Sequence, residues 1–233
     1  MDLDLFKRWL GLRTLYLKTV IPMAFPAILN IEPTNRCNLS CTMCPRSGSV
    51  RPVLDMPWDL FQTIAGEAGR EGPILKIFLQ KDGEPILHPR LGEMVSLLHE
   101  RGAARAIEVI SNGTLLTKER FLELARAGLT SLIISIDATN PASYLELKGR
   151  DFYETVVKNV EEAMAEKKRH GLKTPLIKAR LVARRGCEAE IRTFVDFWKN
   201  RVDAVDITPF HTWMGAVKDQ RGYQTGPRYP CSL

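Results

Sequence analysis

No long apolar run occurs in this sequence. The best candidate, Val20 to Ile31, is broken by Pro22 and Pro26 and falls short of a membrane span. The opening residues also make a poor secretory signal. Asp2 and Asp4 stand where positive charge is expected, and Arg13 and Lys18 interrupt the apolar part. Cysteine is scarce, with five in 233 residues, and three of the five are bunched. That pattern argues against a secreted disulfide framework, because pairing two of the three orphans the last; a reducing cytoplasm is the expected setting. Aromatic residues are missing from the basic groups Lys167-Lys168-Arg169 and Arg184-Arg185. Those groups therefore read as solvated helix ends, and no nucleic-acid partner is expected.

What is present suits a globular domain. Hydrophobic residues make up 45% of the chain, enough for a full core, and the length fits one sizeable α/β domain. The formal net charge of +6 favours an anionic substrate, or a negatively charged electron donor, through steering.

Residues 1–20 read as a helix with Leu3, Phe6 and Leu10 on one face, a helical extension expected over 1–25. Strands and helices then alternate. Strands are expected at Ala27–Glu32, Ile74–Leu79, Ala106–Ile110, Ser131–Ile136, Leu176–Val182 and Ala204–Pro209. Between them lie helices opened by Met56-Pro57-Trp58-Asp59, at about Arg90–Arg101, at Thr117–Ala127 before Gly128, around Phe152, Val156, Val160 and Met164, and around Ile191, Phe194, Val195 and Trp198. Near-continuous apolar strands among amphipathic helices indicate a parallel sheet covered by helices. Six such units are visible, and a full eightfold barrel needs about 250 residues. The expected fold is α/β, a partial (β/α)6 TIM-type barrel. An open doubly wound sheet is the alternative that periodicity does not separate.

The chain is organised around Cys37-Asn38-Leu39-Ser40-Cys41-Thr42-Met43-Cys44, directly after the first strand. Thiolates gathered this tightly on one loop point to a shared metal or cluster. A zinc site completed by Cys187, Cys231 or His88 is one reading, since structural zinc takes four ligands. Three cysteines spaced CxxxCxxC also resemble the signature of the radical SAM family. That resemblance implies a 4Fe-4S cluster held by Cys37, Cys41 and Cys44. One iron is then left to chelate the amine and carboxylate of S-adenosylmethionine, whose reductive cleavage gives methionine and a 5′-deoxyadenosyl radical. The residue before the third cysteine is usually aromatic in the family; here it is Met43, still apolar enough to pack beside an adenine.

Active sites of such barrels lie at the C-terminal ends of the strands. Those ends carry Gln80-Lys81-Asp82-Gly83-Glu84-Pro85, Ser111-Asn112-Gly113-Thr114, Ser135 and Asp137, Lys178 and Arg180, and His211 and Trp213. Taken singly, Gly83-Glu84-Pro85 and Asn112-Gly113 read as turns, Asp137 as a cap, and Lys178 and Arg180 as a solvated face. Together they match the radical SAM family in order and spacing over roughly residues 27–215. The resemblance implies that Gly83, Glu84 and Pro85 hold the methionine amine, with Asp82 in place of the family's first glycine. It places Ser111 and Asn112 near the methionyl or substrate side, and Ser135 and Asp137 near the ribose or carboxylate. Arg180 would be a two-pronged partner for the carboxylate.

The chain closes on Tyr229-Pro230-Cys231-Ser232-Leu233. A Pro-Cys segment of this kind resembles the start of the SPASM-type extension in part of the family. The expected organisation is therefore an extension over 1–25, a radical SAM core over 26–215, and the beginning of a truncated SPASM-like region over 216–233, with Cys231 an auxiliary-cluster ligand. The resemblance implies hydrogen abstraction from a peptide, a protein or a small molecule. The competing readings are a zinc-binding structural module and a catalytically incomplete fragment.

Overall fold

The structure, a computed structural model, describes residues 25–212 and Val217. The expected N-terminal helix, Trp213, Cys231 and the 216–233 region lie outside the described residues. Six strands form one sheet: β1 (Ile28–Ile31), β2 (Lys76–Leu79), β3 (Ile107–Ser111), β4 (Ser131–Ser135), β5 (Leu176–Ala183) and β6 (Ala204–Pro209). Between them run α1 (Trp58–Glu71), α2 (Leu91–Glu100), α3 (Lys118–Arg126), α4 (Pro141–Lys148), α5 (Tyr153–Arg169) and α6 (Glu188–Trp198).

Spatial strand order equals chain order, and every neighbouring pair is parallel. A doubly wound sheet reverses its strand order at a switch point. This one never reverses, so the winding is that of a barrel. Among the described residues β1 and β6 do not pair, and the barrel stays open.

Alternation along the strands divides the two faces of the sheet. Ile77, Leu79, Ile107, Val109, Leu132, Ile134, Ile177, Ala179 and Leu181 are buried in one core with Phe61, Leu98, Phe121, Val160, Phe194 and Trp198 of the helices. The opposite, inner face carries polar groups. Buried Glu108 sits there between Lys76 (3.0 Å) and Lys178 (4.0 Å). Lys178 is thus engaged inside the open barrel rather than on a solvated face.

One helix departs from the sequence expectation. The segment after β4 folds as two helices, α4 and α5, instead of one. The Asn140 side chain caps α4 by accepting from the Ser143 N–H at 3.0 Å, Pro141 follows, and Gly149 ends the helix at φ +75°. Only Tyr144, Leu147 and Lys148 of α4 are buried, too narrow a stripe to stand out as periodicity.

Candidate active site

The C-terminal strand ends meet around a cavity of about 340 Å³. The cysteine loop forms one wall, with Cys37, Cys41, Cys44 and Met43 on the lining. Gly83, Glu84, Asn112, Ser135, Asp137 and Arg180 line it from β2 to β5. Thr208 and His211, at the end of β6, close the far side. Ser111 stands just behind this lining, bonded to Glu84 at 2.7 Å. Pro85 is buried and opens a short 3-10 turn at the base of the Glu84 segment. Cys187 and His88, the other described candidates for a fourth zinc ligand, are absent from the lining. The Cys187 Sγ accepts from the Arg184 N–H at 3.0 Å, and the His88 Nδ1 from the Arg90 N–H at 3.2 Å.

Two flanks hold the cysteine loop. On the first, Gly83 lies so close that an added Cβ would stand 2.1 Å from the Thr34 carbonyl oxygen and 2.7 Å from that of Arg36. The Glu84 N–H donates to the same Arg36 carbonyl at 2.7 Å. A strap over 49–55 runs along this flank. Thr34 and Asp55 form an antiparallel bridge, and the Asn35 N–H donates to the Leu54 carbonyl at 3.2 Å. Arg51 of the strap reaches Glu32 at 2.8 Å and Asp82 at 2.7 Å. Burial raises the Glu32 carboxyl, but the Arg51 guanidinium and the Asp82 N–H outweigh it and hold it below the usual range. Asp82, the departure from the family's glycine pair, therefore serves as an anchor for the strap.

The second flank is the C-terminal end of α4. The Ser40 N–H donates to the Lys148 carbonyl at 3.3 Å, and the Thr42 N–H to that of Leu147 at 2.9 Å. An added Cβ on Gly149 would meet the Ser40 Oγ at 2.5 Å. Lys148 is 3% exposed, and its Nζ donates to the Asp137 carboxylate at 2.5 Å and the Ser135 carbonyl at 2.9 Å. The other Asp137 oxygen accepts from the Val182 N–H at 2.8 Å, and the Ser135 Oγ donates to Asp137 at 2.6 Å. These bonds hold Asp137 in the left-handed region at φ +64°.

The two buried carboxylates are shifted in opposite directions. Burial would raise Asp137, but adjacent Lys148 dominates and holds it below the usual range, while Lys148 itself is pushed up by Asp137 despite its burial. Glu84 is pushed up by burial, against the hydrogen bonds it receives from the Asn112 N–H (2.7 Å), the Ser111 hydroxyl (2.7 Å) and the Ile86 N–H (3.1 Å). Burial also raises the Cys37 and Cys41 thiols, with Lys148 the main opposing influence on Cys41. A bound metal would displace those protons, since thiolate is the ligating form.

Other engaged residues escape a reading of the sequence. Asn38, between the first two cysteines, accepts from the Asn112 side chain at 2.9 Å and donates to the Thr114 hydroxyl at 2.8 Å. This ties the loop to the end of β3, where Asn112-Gly113-Thr114 alone reads as a turn. Lys148 reads as a solvated helix end; the signals that could have found it are Asn140-Pro141 before α4 and Gly149 after it. The Tyr144 hydroxyl, one turn before Lys148, is buried without a hydrogen-bond partner among the described residues, and burial pushes it up to about 12. Arg180 grips Asp206, its register partner on β6, with two N–H groups at 2.9 and 2.6 Å to one oxygen.

Residues 31–178 match the radical SAM superfamily. The chain belongs to that superfamily. It is 32% identical over 154 residues to the tungsten-containing aldehyde ferredoxin oxidoreductase cofactor-modifying protein of Pyrococcus furiosus, covering 66% of this chain and 43% of that protein. It is 33% identical over 136 residues to a probable GTP 3',8-cyclase of Methanothermobacter marburgensis, covering 58% of this chain and 43% of that one. The chain thus spans less than half the length of these curated relatives. Among solved structures, Streptococcus suis SuiB bound to precursor peptide SuiA superposes with a TM-score of 0.71 at 19% identity, covering 90% of this chain and 45% of SuiB. Native anSMEcpe with bound AdoMet gives a TM-score of 0.64 at 18% identity over 87% of this chain and 55% of that one. At those identities the likeness is one of fold.

Members of the radical SAM superfamily bind a 4Fe-4S cluster and S-adenosylmethionine, and the three cysteines here suit the cluster. Three thiols share one loop and one cavity. Among the described residues no three His, Cys, Asp or Glu side chains converge closely enough for a single ion. A multi-iron cluster instead engages each thiolate at a different iron.

Proposed function

We propose that this chain is the catalytic core of a radical SAM enzyme that cleaves S-adenosylmethionine reductively and abstracts hydrogen from a substrate. The observation that carries it is the convergence of Cys37, Cys41 and Cys44 with five other strand ends on one cavity. Cys37, Cys41 and Cys44 would hold the cluster. When bound, the cluster and S-adenosylmethionine supply a 5′-deoxyadenosyl radical. The protein's share is binding, orientation and exclusion of water. The Gly83-Glu84-Pro85 backbone would receive the methionyl amine. Ser111 and Asn112 would fix the position of Glu84 beside it, and Ser135 and Asp137 would face the ribose or carboxylate. Arg180 would take a carboxylate through the part of its guanidinium fork that Asp206 leaves free.

Two substrate classes draw support from different comparisons. SuiB, a neighbour in fold, was solved with a precursor peptide, in line with peptide or protein modification. The relatives by sequence are named for modifying a cofactor and cyclising GTP, and at 32% and 33% identity they favour a small anionic molecule. The net charge of +6 agrees with that choice and with a negatively charged one-electron donor such as a flavodoxin or ferredoxin. A reducing cytoplasm would suit an oxygen-sensitive cluster. Among the described residues no helix is long and apolar enough to cross a membrane. The core would occupy 26–215, with a helical extension before it and the start of a SPASM-like region after it.

The test is anaerobic reconstitution with iron and sulfide, then dithionite and S-adenosylmethionine, with chromatographic detection of 5′-deoxyadenosine. Its formation, lost in Cys37→Ala, is the expected result. A loaded cluster that forms none would mark a catalytically incomplete fragment. Zinc in place of iron would sink the enzyme reading.

A further inference from the structure

Helix α4 presents Tyr144 and Lys148 on one face, one turn apart, behind the part of the loop that carries Cys41. Three observations meet there. The α4 backbone accepts directly from Ser40 and Thr42 on either side of Cys41. The buried Lys148 ammonium lines the same cavity as the cysteines and is paired with Asp137. The Tyr144 hydroxyl is fully buried without a partner among the described residues, an arrangement that ordinarily costs stability.

An orphaned donor and a buried cation beside a cluster ligand share one electrostatic consequence. Reduction adds one electron to an already anionic group of thiolates, sulfides and irons. A nearby positive charge or an O–H aimed at sulfur stabilises the reduced form, and a nearby carboxylate opposes it. The other charged groups on this cavity are Lys81, Asp82 and Glu84 from the β2 loop and Arg180 of β5, which is paired with Asp206 of β6.

We propose that Tyr144, Lys148 and Asp137 form a device that sets the reduction potential of the cluster, with the ammonium and the hydroxyl raising it and the carboxylate lowering it. All three act through the Cys41 side of the site and are positioning residues. The proposal rests on the cluster reading of the three cysteines.

The test is a redox titration of the full chain, reconstituted anaerobically with iron and sulfide, followed by the paramagnetic resonance signal of the reduced cluster. Lys148→Met shifts the potential to more negative values, Asp137→Asn shifts it to more positive values, and Tyr144→Phe shifts it negative by a smaller amount. Lys148→Arg stays near the parent. A merely structural role would not give opposite signs at the two ends of one ion pair. Shifts of the same sign in Lys148→Met and Asp137→Asn, or none in either at parental iron content, overturn the proposal. Should Lys148→Met fail to load, Asp137→Asn and Tyr144→Phe decide, and parental potentials in both overturn it. A parent chain that takes up no iron overturns the cluster reading and this proposal together, whereas a loaded parent with unmoved variants removes this proposal alone.

Discussion

The two flanks of the cysteine loop are built on the same plan with opposite exposure. Each uses a glycine to let backbone approach the loop, a main-chain hydrogen bond to dock it and an ion pair to lock the dock. On the strap side the lock is Arg51 with Glu32 and Asp82, and the Arg51 side chain is 49% exposed. On the α4 side it is Lys148 with Asp137, at 3% and 1%. Exposed ion pairs are screened and contribute little. A buried pair is costly to break, because the surviving charge is stranded. One flank is therefore adjustable and the other fixed, and Cys41 stands on the fixed one.

The largest effect should come from breaking the buried lock. Lys148→Met strands Asp137, with an expected loss of about 3–5 kcal/mol, read by denaturant unfolding and unchanged by added salt. A loss that salt reduces would erase the distinction between the flanks. Next come the glycines. Gly83→Ala drives a Cβ into the Thr34 and Arg36 carbonyls, which are main chain and cannot rotate away. The expected cost is at least about 1–3 kcal/mol, the usual range for overpacking, with impaired iron uptake. Gly149→Ala has its closest approach, 2.5 Å, to the rotatable Ser40 hydroxyl, with the Ser40 carbonyl oxygen at 3.1 Å, but must hold φ +75°, at a cost of about 1–2 kcal/mol. Equal iron uptake by the two alanine variants would show that backbone contact is not what sets the strap flank.

A pH profile sharpens the comparison further. The folded-state pKa of Glu84 lies above its ordinary 4.5, so its stabilising contribution is fully present below that value. It is lost as pH rises through the raised folded value. Glu84→Gln should flatten that limb in melting temperatures measured from pH 4.5 upward; an unchanged limb would assign it to another group. Asp137 has the opposite sign. Its pKa is lowered from 3.8, so its contribution is present above that value and lost only in stronger acid. The smallest effect belongs to Arg51→Ala. We expect a slight loss of stability at low salt that vanishes at high salt, measured by melting temperature.

The strands and the cysteine loop were legible because their signals are local: apolar runs such as Leu132-Ile133-Ile134 and thiols with three and then two residues between them. The choice between a barrel and a doubly wound sheet was not, since both share the same alternation and differ only in spatial order. Lys148 stayed hidden for a related reason. A lysine at a helix end is solvated unless a distant carboxylate is folded onto it, and Asp137 reaches it only through the left-handed turn after β4. Arg180 was found by its alternation on β5, but its partner Asp206 needs the β5–β6 register. Glu84 was expected beside the cofactor; that its carboxylate is filled by Ser111, Asn112 and Ile86 follows only from β2 and β3 lying side by side.

The bridge between Thr34 and Asp55 closes a ring of chain with all three cysteines inside it. Joining the ends of a flexible segment has an entropic cost that grows with the logarithm of its length. Here the bridge meets that cost as part of the fold. A cluster held by these cysteines would form inside a lasso already drawn, and each thiol would surrender only the freedom left within a short, pinned arc.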